Sequence, residues 1–338
     1  MQKKDNWFTN YQTIGNVRGQ RDINYRKNYL KKEDFINKDV IDIGCNIGQM
    51  CFFSKELGAK NVLGIEYDKE AVKIANGMNK DSSIYFQTDD IDNYFLYTSL
   101  PEVDTILLLS VIGTCELTNK NGILSKLSQK AKKVMYIEGH HSVMKYKELF
   151  DMIIRNTTFT TIEYMGETYD NADYERKKFS RALFRCSREE LNQSLFNEKI
   201  YNTIQNNNES LNAITGHGGS GKSFILDNLI KFLENEKKIV FKKNIDNNRK
   251  IYKNEEYKII ITDDIPSETL LNVISGYKHK LIFDYRAVEY IKNNDITNLF
   301  YVKSDIKTRI KNRPQYQYDR SLPIDAKFIK NIYHISNM

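Results

Sequence analysis

Residues 40–48 read VIDIGCNIG, an apolar strand that runs without interruption into a glycine-rich turn. A helical pattern begins at about Gln49, and the next apolar strand ends in the acidic residue Glu66. Glycines such as Gly44 and Gly48 let the backbone approach a ligand closely. This order of strand, glycine turn, helix and acidic strand end is typical of sites that place a carboxylate on the two hydroxyls of a ribose.

The alternation of strands and helices continues to about residue 186. Helices are predicted at Gln49–Leu57 and Lys69–Met78. Predicted strands lie at Asp39–Ile43, Asn61–Ile65, Ile84–Gln87, Val103–Leu109, Lys133–Glu138, Thr160–Met165 and Arg181–Cys186. Strands that alternate with helices predict an α/β fold, with a parallel sheet and helices on both of its faces.

This region, residues 35–186, resembles a class I S-adenosylmethionine-dependent methyltransferase. The matching residues of the first motif are Asp42, Gly44, Asn46 and Gly48, with Asn46 in place of the family's middle glycine. The resemblance implies a Rossmann-like sheet that binds S-adenosylmethionine. It implies that the methionine moiety is held by Asp42 and the turn residues Gly44, Cys45, Asn46 and Gly48, the ribose by Glu66, and the adenine by Asp89 or Asp90. The alternative is a generic Rossmann-like fold whose glycines serve only the turn.

The residues after the fourth and fifth strands bear on the methyl acceptor. Leu108–Ile112 contains no proline, unlike the motif of DNA amino-methyltransferases, and the absence of a Pro-Cys pair excludes the cytosine-C5 mechanism. Glu138, His140 and His141 follow the fifth strand, and ligands bind at the carboxyl ends of such strands. We predict that these three residues contact the acceptor; surface or supporting roles are the alternative.

The N-terminal segment Tyr11–Arg26 contains Arg18 and Arg21. Two interpretations stay open for it. The segment either covers the site and binds an anionic acceptor, or forms a solvated arm.

Residues 216–223 read GHGGSGKS and fit the phosphate-binding pattern G-x-x-x-x-G-K-[ST] in full. A predicted strand, Leu211–Thr215, precedes the loop, and a predicted amphipathic helix, Phe224–Glu236, follows it. In such loops backbone N–H groups cradle the phosphates of ATP, here from Gly216, Gly218, Gly219, Ser220 and Gly221. Lys222 is predicted to reach the β- and γ-phosphates, and Mg²⁺ to be held by Ser223 and by Asp263 at the end of the strand Lys258–Thr262.

Further strands are predicted at Ile239–Lys242, Lys280–Phe283, Leu299–Val302 and Ile332–Asn337. Arg309 and Arg313 follow the third of these at i and i+4, so that one helix face would carry both guanidiniums. This order resembles the lid of small-molecule and nucleotide kinases. The resemblance implies that the two arginines neutralise charge on the transferred phosphoryl group and that Asp264 or Asp284 accepts the acceptor's proton. A surface amphipathic helix is the alternative for the arginines.

The 338 residues suggest about two domains. We predict a methyltransferase domain over 1–190 with an N-terminal arm over 1–35, a linker helix and polar break over 191–210, and a P-loop kinase-like domain over 211–338. The net charge of +7 permits phosphate-bearing partners without requiring nucleic acid. No apolar run is long enough for a membrane span, and the four scattered cysteines predict reduced thiols in a cytoplasmic protein.

The predicted protein is therefore a bifunctional enzyme that uses S-adenosylmethionine, ATP and Mg²⁺. A glycan end or a small metabolite that receives both a methyl and a phosphoryl group is the favoured acceptor. Two alternatives stay open. The acceptor is an RNA or DNA end, or the P-loop domain is a regulatory ATP-binding module that transfers no phosphate.

Overall fold

The computed structural model describes residues 11–12, 19–114, 117–140, 145–170, 180–206, 208–215, 220–246, 249–263, 274, 276–283, 296–303 and 329–336. The chain divides into two compact units, Met1–Arg188 and Glu189–Met338, each with its own sheet strands. Within the described ranges, no helix is both long and apolar enough to cross a bilayer.

The first unit contains seven strands and six α-helices among its described residues. The strands are β1 Asp39–Ile43, β2 Asn61–Glu66, β3 Ile84–Thr88, β4 Val103–Leu109, β5 Ala131–Glu138, β6 Thr161–Thr168 and β7 Arg181–Ser187. The helices are α1 Ile23–Tyr29, α2 Gln49–Glu56, α3 Lys69–Met78, α4 Tyr94–Ser99, α5 Lys120–Lys130 and α6 Tyr146–Asn156. The predicted strands and helices of this half therefore form within a few residues of the expected bounds.

The strand order is β3-β2-β1-β4-β5-β7-β6. β1 to β5 pair in parallel, with Val40 opposite Val62 on one side and Thr105 on the other. The prediction of a Rossmann-like α/β sheet is confirmed, but the expectation of an all-parallel sheet is wrong for β7. β7 lies between β5 and β6 and runs antiparallel to both. This reversal brings Arg181, the first residue of β7, to the edge at which β5 ends.

Local sequence accounts for where several helices begin. The Asp68 carboxylate accepts hydrogen bonds from the N–H groups of Glu70 and Ala71 at the start of α3, at 2.8 and 3.2 Å. Asn119 caps α5 in the same way through the N–H of Gly122. Such N-caps contribute about 1 kcal/mol each to helix stability. α2 has no side-chain cap, and Gly48 precedes it in a left-handed conformation with φ +86°.

The second unit contains two α-helices and seven strands among its described residues. They are α7 Gln193–Gln205, β8 Ser210–Thr215, α8 Lys222–Asn235, β9 Lys242–Asp246, β10 Arg249–Asn254, β11 Ile259–Asp263, β12 His279–Phe283, β13 Ile296–Lys303 and β14 Ile329–Ser336. The strand order is β14-β13-β8-β12-β11-β10-β9. β14, β13, β8, β12 and β11 pair in parallel, and β10 is antiparallel to β11 and to β9. This unit has its own core, in which Leu226 and Leu229 of α8 pack with Phe196 of α7 and Phe300 of β13.

Two predicted elements of this half are misplaced. The sequence also predicts a helix over Ser187–Tyr201, but the helix begins only at Gln193, because Ser187 still pairs in β7 and the Asn192 side chain caps α7 through the N–H of Leu195. The strand expected at Ile239–Lys242 begins at Lys242 instead. Ile239 and Phe241 are buried there without being part of a strand. The β9–β10 hairpin was not predicted.

Candidate functional site

The glycine turn after β1 is the first part of the candidate site. Gly44, Asn46 and Gly48 have φ values of +72°, +51° and +86°, so every second residue of the turn is left-handed. The N–H groups of Gly44 and Cys45 donate to the Ile65 carbonyl at 2.8 and 3.0 Å, which ties the turn to β2. Asparagine tolerates the left-handed region better than most residues with a side chain. This explains how Asn46 stands where the family pattern has glycine.

Two glycines of this turn have no room for a side chain. A Cβ on Gly44 would collide with Val111 Cγ2, and one on Gly48 would lie 2.5 Å from Phe86 Cζ. The Asn46 Oδ1 atom is buried and accepts no hydrogen bond from the described residues. The backbone of the turn is thus closely packed, and the buried Asn46 Oδ1 beside it is an acceptor that no described residue uses. This arrangement fits a bound ligand with N–H donors.

Glu66, the last residue of β2, is 4% exposed and holds the same turn. Its Oε2 accepts from the N–H of Asn46 at 2.9 Å, and its Oε1 accepts from the N–H groups of Tyr67 and Asp68 at 3.0 and 3.2 Å. Burial raises the pKa of Glu66, while these backbone donors act in the opposite direction. Oε2 accepts only one of these hydrogen bonds and retains a lone pair, so Glu66 can accept a further hydrogen bond from a ribose.

Asp42 lies within β1, two residues before Gly44, and is 2% exposed. Its Oδ2 accepts a hydrogen bond from the Cys51 thiol of α2 at 3.4 Å. Burial raises the pKa of Asp42 to about 7, against the lowering effects of that thiol and of Arg26. Cys45, Cys51 and Cys186 are buried free thiols.

Asp89 and Asp90 follow β3 at the same edge of the sheet. The Asp89 N–H donates to the Glu66 carbonyl at 3.0 Å, which aligns the ends of β2 and β3. Asp89 is half-buried and accepts from the N–H of Asp90 at 2.8 Å, whereas Asp90 is exposed. The residues expected to bind cofactor therefore lie at the ends of three adjacent strands, β1, β2 and β3.

The other half of this edge, formed by β4 to β7, carries a buried charged cluster, which we call the Glu138 cluster. Its members are Tyr11, Arg21, Arg26, Ser110, Glu138, Thr168, Asp170 and Arg181. Glu138 is 0% exposed. Its two oxygens accept from Arg21 at 3.2 Å and from Arg26, Ser110 and Thr168.

The electrostatics of Glu138 follow from this environment. Burial alone would raise the pKa of Glu138, but Arg26 and then Arg21 outweigh it, and the pKa lies well below its ordinary value. Glu138 is thus an ionised carboxylate with both oxygens engaged. Arg21 is also paired with Asp170 at 2.6 Å, and Arg26 donates to Ser110 Oγ at 2.7 Å. Arg21, for which the sequence left open a place over the site or in a solvated arm, is 1% exposed.

Ser110 occupies the centre of the Glu138 cluster. It follows β4 in a left-handed conformation with φ +61°, which is uncommon for a residue other than glycine and is found more often at functional sites. Its Oγ donates to Glu138 and accepts from Arg26 and from Arg181, the latter at 2.6 Å. Ser110 and Arg181 were not predicted from the sequence as residues of this candidate site. The only sequence signal was the position of Ser110 directly after the fourth strand.

Tyr11 and Gln12 contact the two halves of the edge. The Arg181 Nη1 donates to the Tyr11 hydroxyl at 2.9 Å. The Gln12 side chain donates to the Cys45 carbonyl and accepts from the Gln49 N–H, each at 3.2 Å. Burial raises the pKa of the Tyr11 phenol, but the neighbouring guanidiniums, led by Arg181, lower it below its ordinary value. Tyr11 and Gln12 thus contact the Glu138 cluster and the glycine turn, respectively, as the covering interpretation of this segment requires.

His140 lies two residues beyond β5 and is half-buried. His141 and Arg18, also singled out from the sequence, lie outside the described residues. Glu138 and His140 are therefore at the predicted edge, but Glu138 faces arginines and hydroxyls of the chain itself.

In the second unit, four residues of the predicted phosphate-binding loop of the ATP site lie among the described residues. Ser220 is buried, Gly221 has φ +91°, and Lys222 and Ser223 are the first two residues of α8. Lys222 is half-buried and Ser223 is exposed. Seven residues predicted for this site lie outside the described ranges: Gly216, Gly218, Gly219, Asp264, Asp284, Arg309 and Arg313. The predicted lid helix therefore stays a prediction.

The strand order separates Asp263 from the loop strand. Asp263 ends β11, but β12 lies between β11 and β8. Neighbouring strands are about 4.8 Å apart, so the end of β11 is about 10 Å from the end of β8. Asp284, which follows β12 in sequence, lies outside the described residues. Among the residues that the structure describes, no group of three or more His, Cys, Asp or Glu side chains could hold a metal ion.

No protein-family model matches the chain. Over 85 residues the chain is 36% identical to an uncharacterized protein of Methanocaldococcus jannaschii, a match that covers 25% of this chain and 36% of that protein. Over 56 residues it is 39% identical to ribosomal protein L11 methyltransferase of Thermotoga neapolitana, which covers 17% of this chain and 20% of the relative. The chain thus spans about a third and a fifth of the length of these two relatives.

Solved structures give weaker matches. The bifunctional kinase-methyltransferase WbdD matches with a TM-score of 0.43 and 19% identity, covering 54% of this chain and 45% of WbdD. Magnesium protoporphyrin IX methyltransferase from Synechocystis matches with a TM-score of 0.37 and 17% identity, covering 46% of this chain and 73% of that protein. Neither match identifies a substrate, and the topology of the first unit rests on its own strand pairing.

Proposed function

We propose that the first unit is an S-adenosylmethionine-dependent methyltransferase. The observation that carries this proposal is the glycine turn after β1, in which three residues are left-handed, two glycines have no room for a side chain, and Glu66 accepts from the N–H of Asn46. The local identity to ribosomal protein L11 methyltransferase supports it. The sulfonium of bound S-adenosylmethionine supplies an electrophilic methyl group.

In this proposal the chain's own residues bind and orient. Gly44, Cys45, Asn46 and Gly48 hold the methionine moiety through backbone and Asn46 Oδ1, Asp42 supports the turn, Glu66 accepts from the ribose, and Asp89 or Asp90 lies by the adenine. Positioning of this kind supplies much of the acceleration of a group transfer. Because Glu138 is ionised and both its oxygens are engaged, we expect it to position Arg21 and Arg26 rather than to take a proton from the acceptor. His140 stays the candidate for contact with the acceptor.

Calorimetric titration with S-adenosylmethionine tests the cofactor assignment. We expect Gly44→Val to abolish binding, since its Cβ would collide with Val111, and Glu66→Ala to weaken it strongly. Gly77→Val is the matched control, because nothing lies within 4 Å of a Cβ at Gly77. Absence of binding to the folded wild-type chain would remove the proposal.

We further propose that the second unit binds ATP and Mg²⁺ and transfers a phosphoryl group. The fit of residues 216–223 to the phosphate-binding pattern and the start of α8 at Lys222 support this. Lys222 reaches the phosphates, Ser223 and an acidic strand end hold Mg²⁺, and Arg309 and Arg313 stabilise the transferred group. We propose a glycan end or a small metabolite as the shared acceptor.

ATP turnover in the presence of candidate acceptors tests the kinase assignment. We expect Arg309→Ala to lower phosphoryl transfer while leaving ATP binding in place. Unchanged ATP turnover by Arg309→Ala, with no phosphorylated product from either protein, would instead indicate a regulatory ATP-binding module.

A further inference from the structure

The Glu138 cluster contains more positive than negative charge. Arg21, Arg26 and Arg181 are 1%, 3% and 4% exposed, and the carboxylates that face them are Glu138 and Asp170. Three guanidinium groups therefore meet two carboxylates. Arginine cannot lose its proton in a protein, so the excess charge does not disappear by titration of these groups.

The excess charge is localised at Arg181. In the described part of the chain, Arg21 and Arg26 each form an ion pair, but Arg181 forms none. Its two hydrogen bonds both come from Nη1 and run to neutral oxygens, Ser110 Oγ at 2.6 Å and the Tyr11 hydroxyl at 2.9 Å. A buried charge without a counter-ion costs several kcal/mol of folding free energy.

The unused donors of Arg181 have a specific geometry. Its Nε is buried and has no hydrogen-bond partner, and within the described ranges Nη2 donates to none of the residues. The Nε and Nη2 N–H groups form one edge of the guanidinium, which matches the two oxygens of a carboxylate or a phosphate. Arg181 thus presents a bidentate anion-binding edge at the end of β5, the edge where ligands of such sheets bind.

We propose that Arg181, with the Tyr11 hydroxyl beside it, binds an oxyanion of the methyl acceptor, a carboxylate or a phosphate group. This proposal rests on the methyltransferase function proposed above and specifies the class of its acceptor. The bound oxyanion supplies the missing counter-charge. Glu138, Ser110 and Thr168 position the guanidiniums and do not contact the acceptor.

The test is calorimetric titration of the full chain, saturated with S-adenosylhomocysteine, with inorganic phosphate in one arm and acetate in the other. All proteins carry Lys222→Ala, so that the lysine of the second unit does not contribute to phosphate binding. We expect Arg181→Gln to lower the affinity for the preferred anion by about tenfold or more, as loss of a charge-assisted bidentate contact predicts. Arg181→Lys keeps the charge without the fork, and we expect it to lower the affinity less.

The matched control is Arg155→Gln, since Arg155 is an exposed arginine of α6 whose ion pair is with Asp151. It should leave anion affinity unchanged. Tyr11→Phe should lower the affinity about threefold through loss of one donor. A higher affinity in Tyr11→Phe would contradict the proposal, because it would mean that an ionised Tyr11 already balances Arg181.

The anion that binds more tightly identifies the group on the methyl acceptor. Phosphate indicates a phosphorylated acceptor, and acetate indicates an acceptor with a carboxylate. The proposal would be overturned if the protein with Arg181→Gln and the protein that keeps Arg181 bound each anion with the same affinity. Affinity for S-adenosylhomocysteine, measured in the same samples, distinguishes failure of the oxyanion site from failure of the methyltransferase proposal. If the wild type binds S-adenosylhomocysteine but neither anion, the oxyanion site is wrong and the methyltransferase proposal stands. If Arg181→Gln does not fold, Arg181→Lys decides the outcome.

Discussion

Asp42 is a buried carboxyl group next to a ligand-binding turn, and its position makes its ionisation costly. An unfolded aspartate has a pKa of about 3.9, whereas burial raises the pKa of Asp42 to about 7 in the fold. The folded state therefore binds this proton more tightly than the unfolded state. By linkage, the contribution of Asp42 to stability falls as the pH rises from about 4 to about 7.

We expect Asp42→Asn to reduce this pH dependence. The difference in the free energy of unfolding, variant minus wild type, should be larger at pH 8 than at pH 4, on the order of a few kcal/mol. The reason is that the amide carries no charge to bury. Urea unfolding of both proteins without ligand, at a series of pH values, measures the difference. Parallel stability curves for the two proteins would contradict the assignment.

Arg185 is a buried arginine of β7 whose charge is balanced by a carboxylate within the fold. Its Nε and Nη2 each lie 2.8 Å from the Asp34 carboxylate, and Tyr136 donates to the same carboxylate at 2.6 Å. Both oxygens of Asp34 are thereby satisfied, and the chain before β1 is held to β5 and β7. Arg185 thus has its carboxylate, whereas Arg181, four residues earlier on the same strand, has none among the residues that the structure describes.

We expect Arg185→Met to lower the free energy of unfolding by about 3–5 kcal/mol, since it leaves Asp34 charged, buried and without its main partner. Chemical denaturation measures the effect. Arg155→Met is the control and should change stability by about 0.5 kcal/mol or less, because its ion pair is exposed. A small effect of Arg185→Met would contradict a stabilising role for the Arg185–Asp34 ion pair.

At the scale of elements, the register of β8, β13 and β14 is marked by three side-chain amides, of which Asn212 and Asn298 are buried and Asn331 is half-buried. Asn298 Nδ2 donates to Asn212 Oδ1 at 2.7 Å, and Asn331 Nδ2 donates to Asn298 Oδ1 at 3.0 Å. These three residues are direct neighbours across the strands. Because a slip of either strand would leave buried amides unpaired, the ladder specifies the register of the second sheet.

The order of strands in the second sheet changes which aspartate is expected to serve Mg²⁺. β12 is the neighbour of the loop strand β8, and β11 is one strand further. Asp284 follows β12 directly in sequence, whereas Asp263 ends β11. The shorter separation of neighbouring strand ends favours Asp284 as the acidic group nearer the phosphates.

We therefore expect Asp284→Asn to raise the Mg²⁺ concentration needed for half-maximal ATP turnover more than Asp263→Asn does. Titration of turnover with MgCl₂ at fixed ATP concentration compares the two variants. The same shift in both, or a larger one in Asp263→Asn, would restore Asp263 as the principal acidic residue of the site.

At the scale of the whole molecule, the chain forms two compact units with separate cores and one proposed site in each. Each site is built from residues of a single unit. This organisation predicts that loss of one ligand leaves binding of the other intact.

We expect Lys222→Ala to abolish ATP turnover while its affinity for S-adenosylmethionine stays within about twofold of the wild type. Gly44→Val should show the reverse. Parallel calorimetry and turnover assays on the same folded preparations measure both. Loss of both functions in either folded variant would contradict independent sites.

The sequence by itself determined the strands of the first unit and the residues of the glycine turn. Local patterns suffice there, because an apolar strand, a left-handed turn and an N-cap each depend on neighbours in the chain. Asp42, Gly44, Glu66 and Asp89 could therefore be placed at or near the ends of their strands without knowledge of the fold. The antiparallel direction of β7 was missed, because the direction of a strand depends on its pairing partners.

Only the tertiary structure decided the role of the charged residues. Arg181 and Glu138 are 43 positions apart, and they approach each other because β7 inserts antiparallel beside β5. Glu138 was expected at the acceptor, but arginines and hydroxyls from distant parts of the chain surround it. Burial and charge balance are sums over such distant neighbours, so no local pattern reveals that Arg181 forms no ion pair with the described residues.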